Sequence, residues 1–158
     1  MKFRITGISD THNKHNQLEG KLPGGDILIH AGDITSLGRK DEVKRFIKWF
    51  SRQEYKYKIF IAGNHDMTFD SEKLLRDKLA HFEGRDRTDY DTECAEGKPQ
   101  WLIDMLNNLD RDTFYLENSA IEFDNIKIWG SPYSPSFGHG WGFNKDRGHD
   151  IAQFWNEI

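Results

Sequence analysis

Short apolar runs alternate along the chain with segments in which apolar residues recur at helical spacing. The runs at 3–8, 26–31 and 57–62 are rich in Ile, Leu and Phe, which is typical of buried strands. Between the second and third runs, apolar residues recur at i, i+3, i+4 and i+7, at Val43, Phe46, Ile47 and Phe50. This spacing predicts an amphipathic helix over about 40–53. A strand–helix–strand order indicates parallel strands, and therefore a protein of the α/β class.

The same reading predicts the elements of the second half of the chain. Helices are expected over about 71–82, with Ser71 as N-cap, from Pro99 to Leu109, and from Gly148 onward. Three shorter strands are expected at 113–116, 120–123 and 126–129. The last two flank Asp124-Asn125, a pair that favours a tight hairpin turn.

Composition limits the classes of function that the chain can have. Its 158 residues are expected to form a single domain over 1–158. The formal net charge of −4 does not favour a nucleic-acid partner. The only cysteine, Cys94, excludes an internal disulfide, and no stretch approaches the length of a membrane span. We expect a cytoplasmic protein.

Chemistry-bearing residues follow each of the first three predicted strands. They are Asp10 and His12 after the first, Asp33 after the second, and Asn64 and His65 after the third. Because the carboxyl ends of parallel strands meet at one edge of a sheet, these side chains should lie close together. Their oxygen and nitrogen donors could hold two divalent metal ions, which commonly carry out hydrolysis.

A structural interpretation competes with this one. A single Asp after a strand is more often a turn residue or a helix N-cap. A single His is usually a surface residue or a hydrogen-bonded core residue. Three such segments in order are less easily explained in this way, and Gly32 and Gly63 directly precede Asp33 and Asn64. A residue that is free to adopt positive φ is useful at such tight turns. The pattern therefore favours a site.

The ordered segments resemble the first three signature blocks of the calcineurin-like metallophosphoesterases. These blocks are Asp10-x-His12, Gly32-Asp33 and Gly63-Asn64-His65-Asp66. Two further stretches of the sequence resemble one branch of this family, which contains the metallophosphoesterase-domain (brain 239-type) proteins and their bacterial relatives. These stretches are Trp129-Gly130-Ser131-Pro132 and Trp141-Gly142-Phe143-Asn144. The resemblance implies a metallophosphoesterase-like αββα sandwich with two facing mixed sheets.

The resemblance also implies roles for individual residues. Asp10 and His12 would bind the first metal ion, Asp33 would bridge both ions, and Asn64 would bind the second. His65 would not be a ligand and would instead protonate the leaving oxygen of the substrate. The ions would be Mn, Fe, Zn or Mg. The remaining residue of the third block, Asp66, would either orient His65 or cap the helix that follows.

The implied function is hydrolysis of small phosphate mono- or diesters, cyclic nucleotides among them, by a hydroxide held between two metals. The family has two later His blocks that do not occur before Ile158, where only His139 and His149 remain. We therefore expect the N-terminal two thirds of the family fold, incomplete at the C-terminus, with exposed sheet edges that a homo-oligomer would cover. The alternative is a weak or inactive module that binds metal or nucleotide, or a fragment completed by a partner chain.

Several aromatic and histidine residues allow two interpretations. The aromatic residues of the Gly- and Pro-rich segment after residue 129 could stack a nucleobase or anchor the loop, and we favour anchoring; they are Tyr133, Phe137, Trp141 and Phe143. For His30 we favour a buried structural role. For His15 we favour a solvated loop position over contact with substrate.

Overall fold

A parallel sheet forms the centre of the protein. The computed structural model describes residues 2–72, 97–138 and 140–158. Four parallel strands lie side by side in the order β1-β2-β3-β4, and they are β1 Ile5–Ile8, β2 Ile27–Ala31, β3 Tyr57–Ile61 and β4 Thr113–Tyr115. Ile8 pairs with His30, and His30 pairs with Phe60. The expectation that the first three runs are parallel neighbours is confirmed, and their carboxyl ends meet at one edge.

Three α-helices are described. They are α1 Lys40–Phe50, α2 Gln100–Asn107 and α3 His149–Trp155. The start of α1 is fixed by the carboxylate of Glu42, which accepts hydrogen bonds from the backbone N–H groups of Leu37 and Arg39. These bonds satisfy amide groups that the first turn of a helix leaves unpaired. The helix expected over 71–82 lies largely outside the described residues.

Aromatic rings fill the space between α1 and the sheet. Phe46 and Phe50 of α1 stack with their ring centroids 5.0 Å apart, and both lie edge-on to Phe60 of β3. All three side chains are fully buried. Burial of large side chains of this kind is the main favourable contribution to folding, so α1 is held firmly across the strands that carry the second and third blocks.

An antiparallel hairpin covers the opposite face of the sheet. Strands β5 Ser119–Phe123 and β6 Ile126–Gly130 are joined by Asp124 and Asn125, whose φ angles are +50° and +67°. Positive φ at both central residues is the conformation that matches the twist of a hairpin. The hairpin packs its apolar residues against the sheet, using Ile121, Phe123, Ile126 and Ile128. Helix, sheet and second sheet therefore lie in successive layers, and the expected α/β class is confirmed.

Two further features complete the described chain. Strands β7 Ser134–Pro135 and β8 Asn144–Lys145 pair in parallel and close the loop that follows β6. No helix in the described ranges is both long and apolar enough to cross a membrane.

Two histidines lie inside the protein on the α1 side of the sheet. His30 is fully buried, its ring lies 5.1 Å from that of Phe46, and its Nε2 is 2.9 Å from Thr11 Oγ1. The preferred structural interpretation of His30 therefore agrees with its position. The solvated position expected for His15 is wrong, because His15 is only 4% exposed and packs against Trp49. The short 3-10 turn His15–Leu18 lies against α1 and brings this side chain into the core.

Acidification should destabilise the protein through His30. Burial, and to a lesser extent the neighbouring His15, lowers the pKa of His30 to about 3 from its ordinary 6.5. Between these values the unfolded chain binds a proton that the folded chain does not, so stability falls as the pH falls below about 6.5. Between pH 7 and pH 5, the unfolding free energy of wild type should fall by about 2 kcal/mol more than that of His30→Gln, measured by urea unfolding.

The control for this measurement is His149→Gln, which replaces an exposed histidine of α3 and should lose stability as wild type does. An identical dependence on pH in His30→Gln and wild type would contradict the prediction.

Candidate metal centre

The first two blocks are joined by backbone hydrogen bonds at the carboxyl edge of the sheet. The N–H of Asp10 donates to the carbonyl of Gly32, and the N–H of His12 donates to the carbonyl of Asp33, both at 3.0 Å. These bonds continue the pairing of β1 with β2 beyond the ends of the strands. The backbone therefore fixes the relative position of the two blocks before any ligand is bound.

Close contact between the second and third blocks depends on glycine. A Cβ atom at Gly63 would lie 2.3 Å from Oδ1 of Asp33, and one at Gly32 would lie 2.9 Å from the carbonyl of Ala62. Both glycines were expected to provide positive φ, but only Gly32 does so, at +98°. The constraint at Gly63 is steric, since any side chain there would collide with Asp33.

The site residues themselves have strained backbone conformations. Asp10, His12 and Asp33 have φ angles of +53°, +39° and +54°. Positive φ is uncommon for residues other than glycine, although Asn, Asp and His adopt it more readily than the rest. Strain of this kind often accompanies functional sites, where the surrounding structure holds it in place.

The carboxylate of Asp66 joins the second and third blocks. It is completely buried and accepts hydrogen bonds from four donors, which are the N–H groups of Ile34, Thr35 and Gly63 and the hydroxyl of Thr35. Neither expected role applies. The side chain makes no capping bond to the 3-10 helix Met67–Phe69 that follows, and its hydrogen bonds are made to these groups rather than to His65. Burial raises the pKa of Asp66 to about 6, although the four donors act in the opposite direction.

Three side chains of types that can bind metal ions converge at this edge. One ligand atom from each of His12, Asp33 and His65 can be chosen so that all lie within 4.8 Å of one another. Nε2 of His12 is 3.8 Å from Oδ2 of Asp33, and the rings of His12 and His65 are 4.4 Å apart and nearly perpendicular. Two imidazoles and a carboxylate form a donor set that suits Zn, Fe or Mn.

The protonated nitrogen of both imidazoles is fixed by neighbouring carbonyl groups. Nδ1 of His12 is 3.1 Å from the carbonyl oxygen of Thr35, and Nδ1 of His65 is 2.8 Å from that of Ser36. A carbonyl oxygen can only accept a hydrogen bond, so each Nδ1 carries the proton and donates. Each Nε2 is then left with a lone pair, as histidine ligands of metals require. The donor chemistry of these residues therefore fits a divalent metal ion.

Of the two acidic residues expected as ligands, Asp33 belongs to this group of three side chains and Asp10 does not. Asp10 is exposed on the first block, and Asn64 is half-buried on the third. The carbonyl oxygen of Asn64 accepts a hydrogen bond from the N–H of Gly142. Of the two downstream histidines, His149 is exposed at the start of α3, and His139 lies outside the described residues. The four ligands and the catalytic His65 implied by the resemblance stay predictions.

Trp141 is a neighbour of the site, although the sequence favoured a loop-anchoring role for it. Its ring lies 4.2 Å from that of His65, with the two planes at 39°. Among the aromatics of this loop, Phe143 is buried and Tyr133 stacks on Phe154, as expected for anchoring residues, whereas Phe137 is exposed. The sequence gave two signals for Trp141, the stacking alternative for the aromatics of this loop and the family-branch stretch Trp141-Gly142-Phe143-Asn144, but neither indicated a position next to His65.

Comparison with known proteins identifies the class of this chain. The family model for calcineurin-like phosphoesterase matches residues 3–157. The chain belongs to the calcineurin-like phosphoesterase family, a hydrolase family whose members bind divalent metals.

Similar curated proteins belong to several organisms. The chain is 37% identical to metallophosphoesterase domain-containing protein 1 of Homo sapiens over 158 residues, which is 98% of this chain and 44% of that protein. It is 34% identical to a UPF0046 protein of Caenorhabditis elegans, over 98% of this chain and 38% of that protein. The chain thus spans less than half the length of these relatives.

Metal binding should depend on the converging side chains. With Mn²⁺ at neutral pH, the chain should bind a divalent ion through Asp10, His12, Asp33 and Asn64. Asp33→Asn removes the charge and one of the two carboxylate oxygens, and His12→Gly removes an imidazole. Each variant should therefore reduce the bound metal severalfold, measured by elemental analysis after gel filtration. His149→Ala removes an exposed histidine and should retain the wild-type content. A wild-type chain without metal, or variants that bind as much as wild type, would contradict this prediction.

Thr35 should stabilise the junction between the second and third blocks through its hydroxyl group. This fully buried hydroxyl donates to Asp66 and accepts from the N–H of Gly38. Thr35→Val leaves both partners buried without it and should cost roughly 3 kcal/mol of unfolding free energy in a urea titration. Thr35→Ser retains the hydroxyl and should cost only about 1 kcal/mol. Thr35→Val keeps the methyl group and loses only the hydroxyl, so a cost for Thr35→Val no larger than that for Thr35→Ser would contradict the role of the hydrogen bonds.

Proposed function

We propose that this chain is the metal-binding part of a phosphoesterase that hydrolyses small phosphate mono- or diesters, nucleotides and cyclic nucleotides among them. The observation that carries the proposal is the convergence of His12, Asp33 and His65 at the carboxyl edge of the sheet. Because the chain spans less than half of its curated relatives, the activity of the whole protein is part of the proposal.

Asp33 has the central position in the proposed site. Its carboxylate is nearly buried, and Oδ1 accepts a hydrogen bond from the N–H of His65 at 3.0 Å. This bond orients the carboxylate and leaves Oδ2 directed toward His12 at 3.8 Å. If two ions are bound, this carboxylate would hold both of them, with His12 and Asp10 as further ligands of one ion and Asn64 as a ligand of the other.

When bound, two divalent ions supply an activated water molecule and neutralise charge on the phosphate oxygens. His65 then has a separate task. Its Nδ1 donates to Ser36, so its Nε2 faces the site and can carry a second proton when the ring is charged. We propose that Nε2 donates this proton to the leaving oxygen of the ester, while Ser36 keeps the ring in the required orientation.

A second candidate function is supported by one observation. Within the described residues, the donor group contains His65 but not Asp10. A site in which His65 is itself a ligand would hold a metal ion without a free general acid. The chain would then be a weak or inactive module that binds metal or nucleotide, or that is completed by a partner chain. For either function, we also propose that the chain is cytoplasmic and that it forms a homo-oligomer that covers the exposed sheet edges.

Replacing His65 should distinguish the two functions. If His65 is the general acid, His65→Ala should lower turnover of an alkyl phosphodiester by about 10²–10⁴-fold and leave the content of Mn²⁺ unchanged. An aryl phosphodiester, whose leaving group needs little protonation, should be affected less. Turnover is measured with Mn²⁺, and metal content is measured on the same samples.

Asp33→Asn is the matched comparison, because it should lose metal together with turnover on both esters. Loss of metal in His65→Ala would favour the second function. Equal losses on alkyl and aryl esters, with the metal retained, would contradict the role of His65 as an acid.

A further inference from the structure

The loop that follows β6 is fixed against the candidate metal centre. Within the loop, the N–H of Ser134 donates to the carbonyl of Phe143, and the N–H of Ser136 donates to that of Lys145. These bonds continue the short pairing of β7 with β8. The turn that carries Trp141 therefore projects from a closed and hydrogen-bonded base.

Two further bonds attach this turn to the third block. The N–H of Gly142 donates to the carbonyl of Asn64 at 3.0 Å, and the N–H of Phe143 donates to Oδ2 of Asp70 at 2.7 Å. The Phe143 side chain is only 1% exposed. The two residues after Trp141 are thus anchored directly to the segment that carries Asn64 and His65, and the position of the indole relative to His65 is defined.

The indole of Trp141 lies where a bound ester would be held. It is half-buried, with its ring centroid 4.2 Å from that of His65. If His65 donates its proton to the leaving oxygen, the carbon attached to that oxygen must lie within a few ångströms of the imidazole. The group built on that carbon therefore has the indole of Trp141 as its neighbour.

We propose that Trp141 is a specificity-determining residue that favours phosphoesters with a flat aromatic ring next to the leaving oxygen. The proposal rests on the proposed function of the same site. Aromatic rings attract one another beyond the effect of buried area, through the distribution of charge over their faces and edges. An indole wall should therefore favour an aryl ester over an alkyl ester of the same size.

Phenyl phosphate and cyclohexyl phosphate provide the matched pair of probes. Both carry a six-membered ring on the ester oxygen, but only the first ring is flat and aromatic. Inorganic phosphate, which has no leaving group, reports on the metal centre alone. The affinities of all three are measured by calorimetry on the full chain with Mn²⁺, for wild type, Trp141→Ala, Trp141→Phe and Phe137→Ala.

Trp141→Ala should lower the affinity for phenyl phosphate about tenfold and that for cyclohexyl phosphate by about twofold or less. The affinity for inorganic phosphate should not change. Trp141→Phe should retain most of the preference because it keeps an aromatic face. Phe137→Ala removes the exposed aromatic side chain of the same loop and should behave as wild type.

The outcomes separate this proposal from the proposed function. Equal weakening of both esters, or the same loss in Phe137→Ala, would overturn the role of Trp141 while leaving a working phosphate site. Weaker binding of inorganic phosphate to Trp141→Ala would show a merely structural role and would also overturn it. Failure of the wild-type chain to bind any of the three probes would overturn the proposed function, and this proposal with it.

Discussion

A single buried carboxylate determines the geometry on which the candidate site depends. Asp66 lies in the third block and accepts hydrogen bonds from the N–H groups of Ile34 and Thr35, which directly follow the second block. It therefore sets the distance between the loops that carry Asp33 and His65. The same contact fixes the segment at Thr35 and Ser36, whose carbonyl groups orient the two imidazoles. Groups outside the trio of His12, Asp33 and His65 thus control how these candidate ligands would be presented to a metal ion.

The fold around this junction separates the apolar cores, which lie on the two faces of the sheet, from the candidate site, which lies at its edge. The face beneath α1 is filled with stacked aromatic rings and buries His30 as a neutral side chain, while the other face packs against the hairpin of β5 and β6. Both cores are apolar and lie away from the carboxyl edge of the strands. The site can therefore hold strained backbone and polar side chains, because the stability of the domain comes from packing elsewhere.

Much of this arrangement could be predicted from local sequence. Strand periodicity located β1 to β3, and the rule that parallel strands share an edge placed Asp33 and His65 together. Contacts between distant segments were not accessible in this way, as His15 and Trp141 show. His15 looked like a loop residue because its burial depends on a turn that folds onto α1. The position of Trp141 depends on hydrogen bonds that the backbone N–H groups of Gly142 and Phe143 donate to Asn64 and Asp70. Every residue except proline carries such an N–H group, so the sequence does not reveal these bonds.

The positive φ angles at Asp10, His12 and Asp33 also limit how this site can change. The few residue types that tolerate such a backbone, apart from glycine, are mainly Asn, Asp and His, and these are also types that can ligate metals. Backbone geometry and coordination chemistry therefore favour the same few residue types at these positions. If the three positions were randomised in a library, selection for folding alone would enrich these residue types. Their enrichment would therefore not by itself be evidence of catalysis.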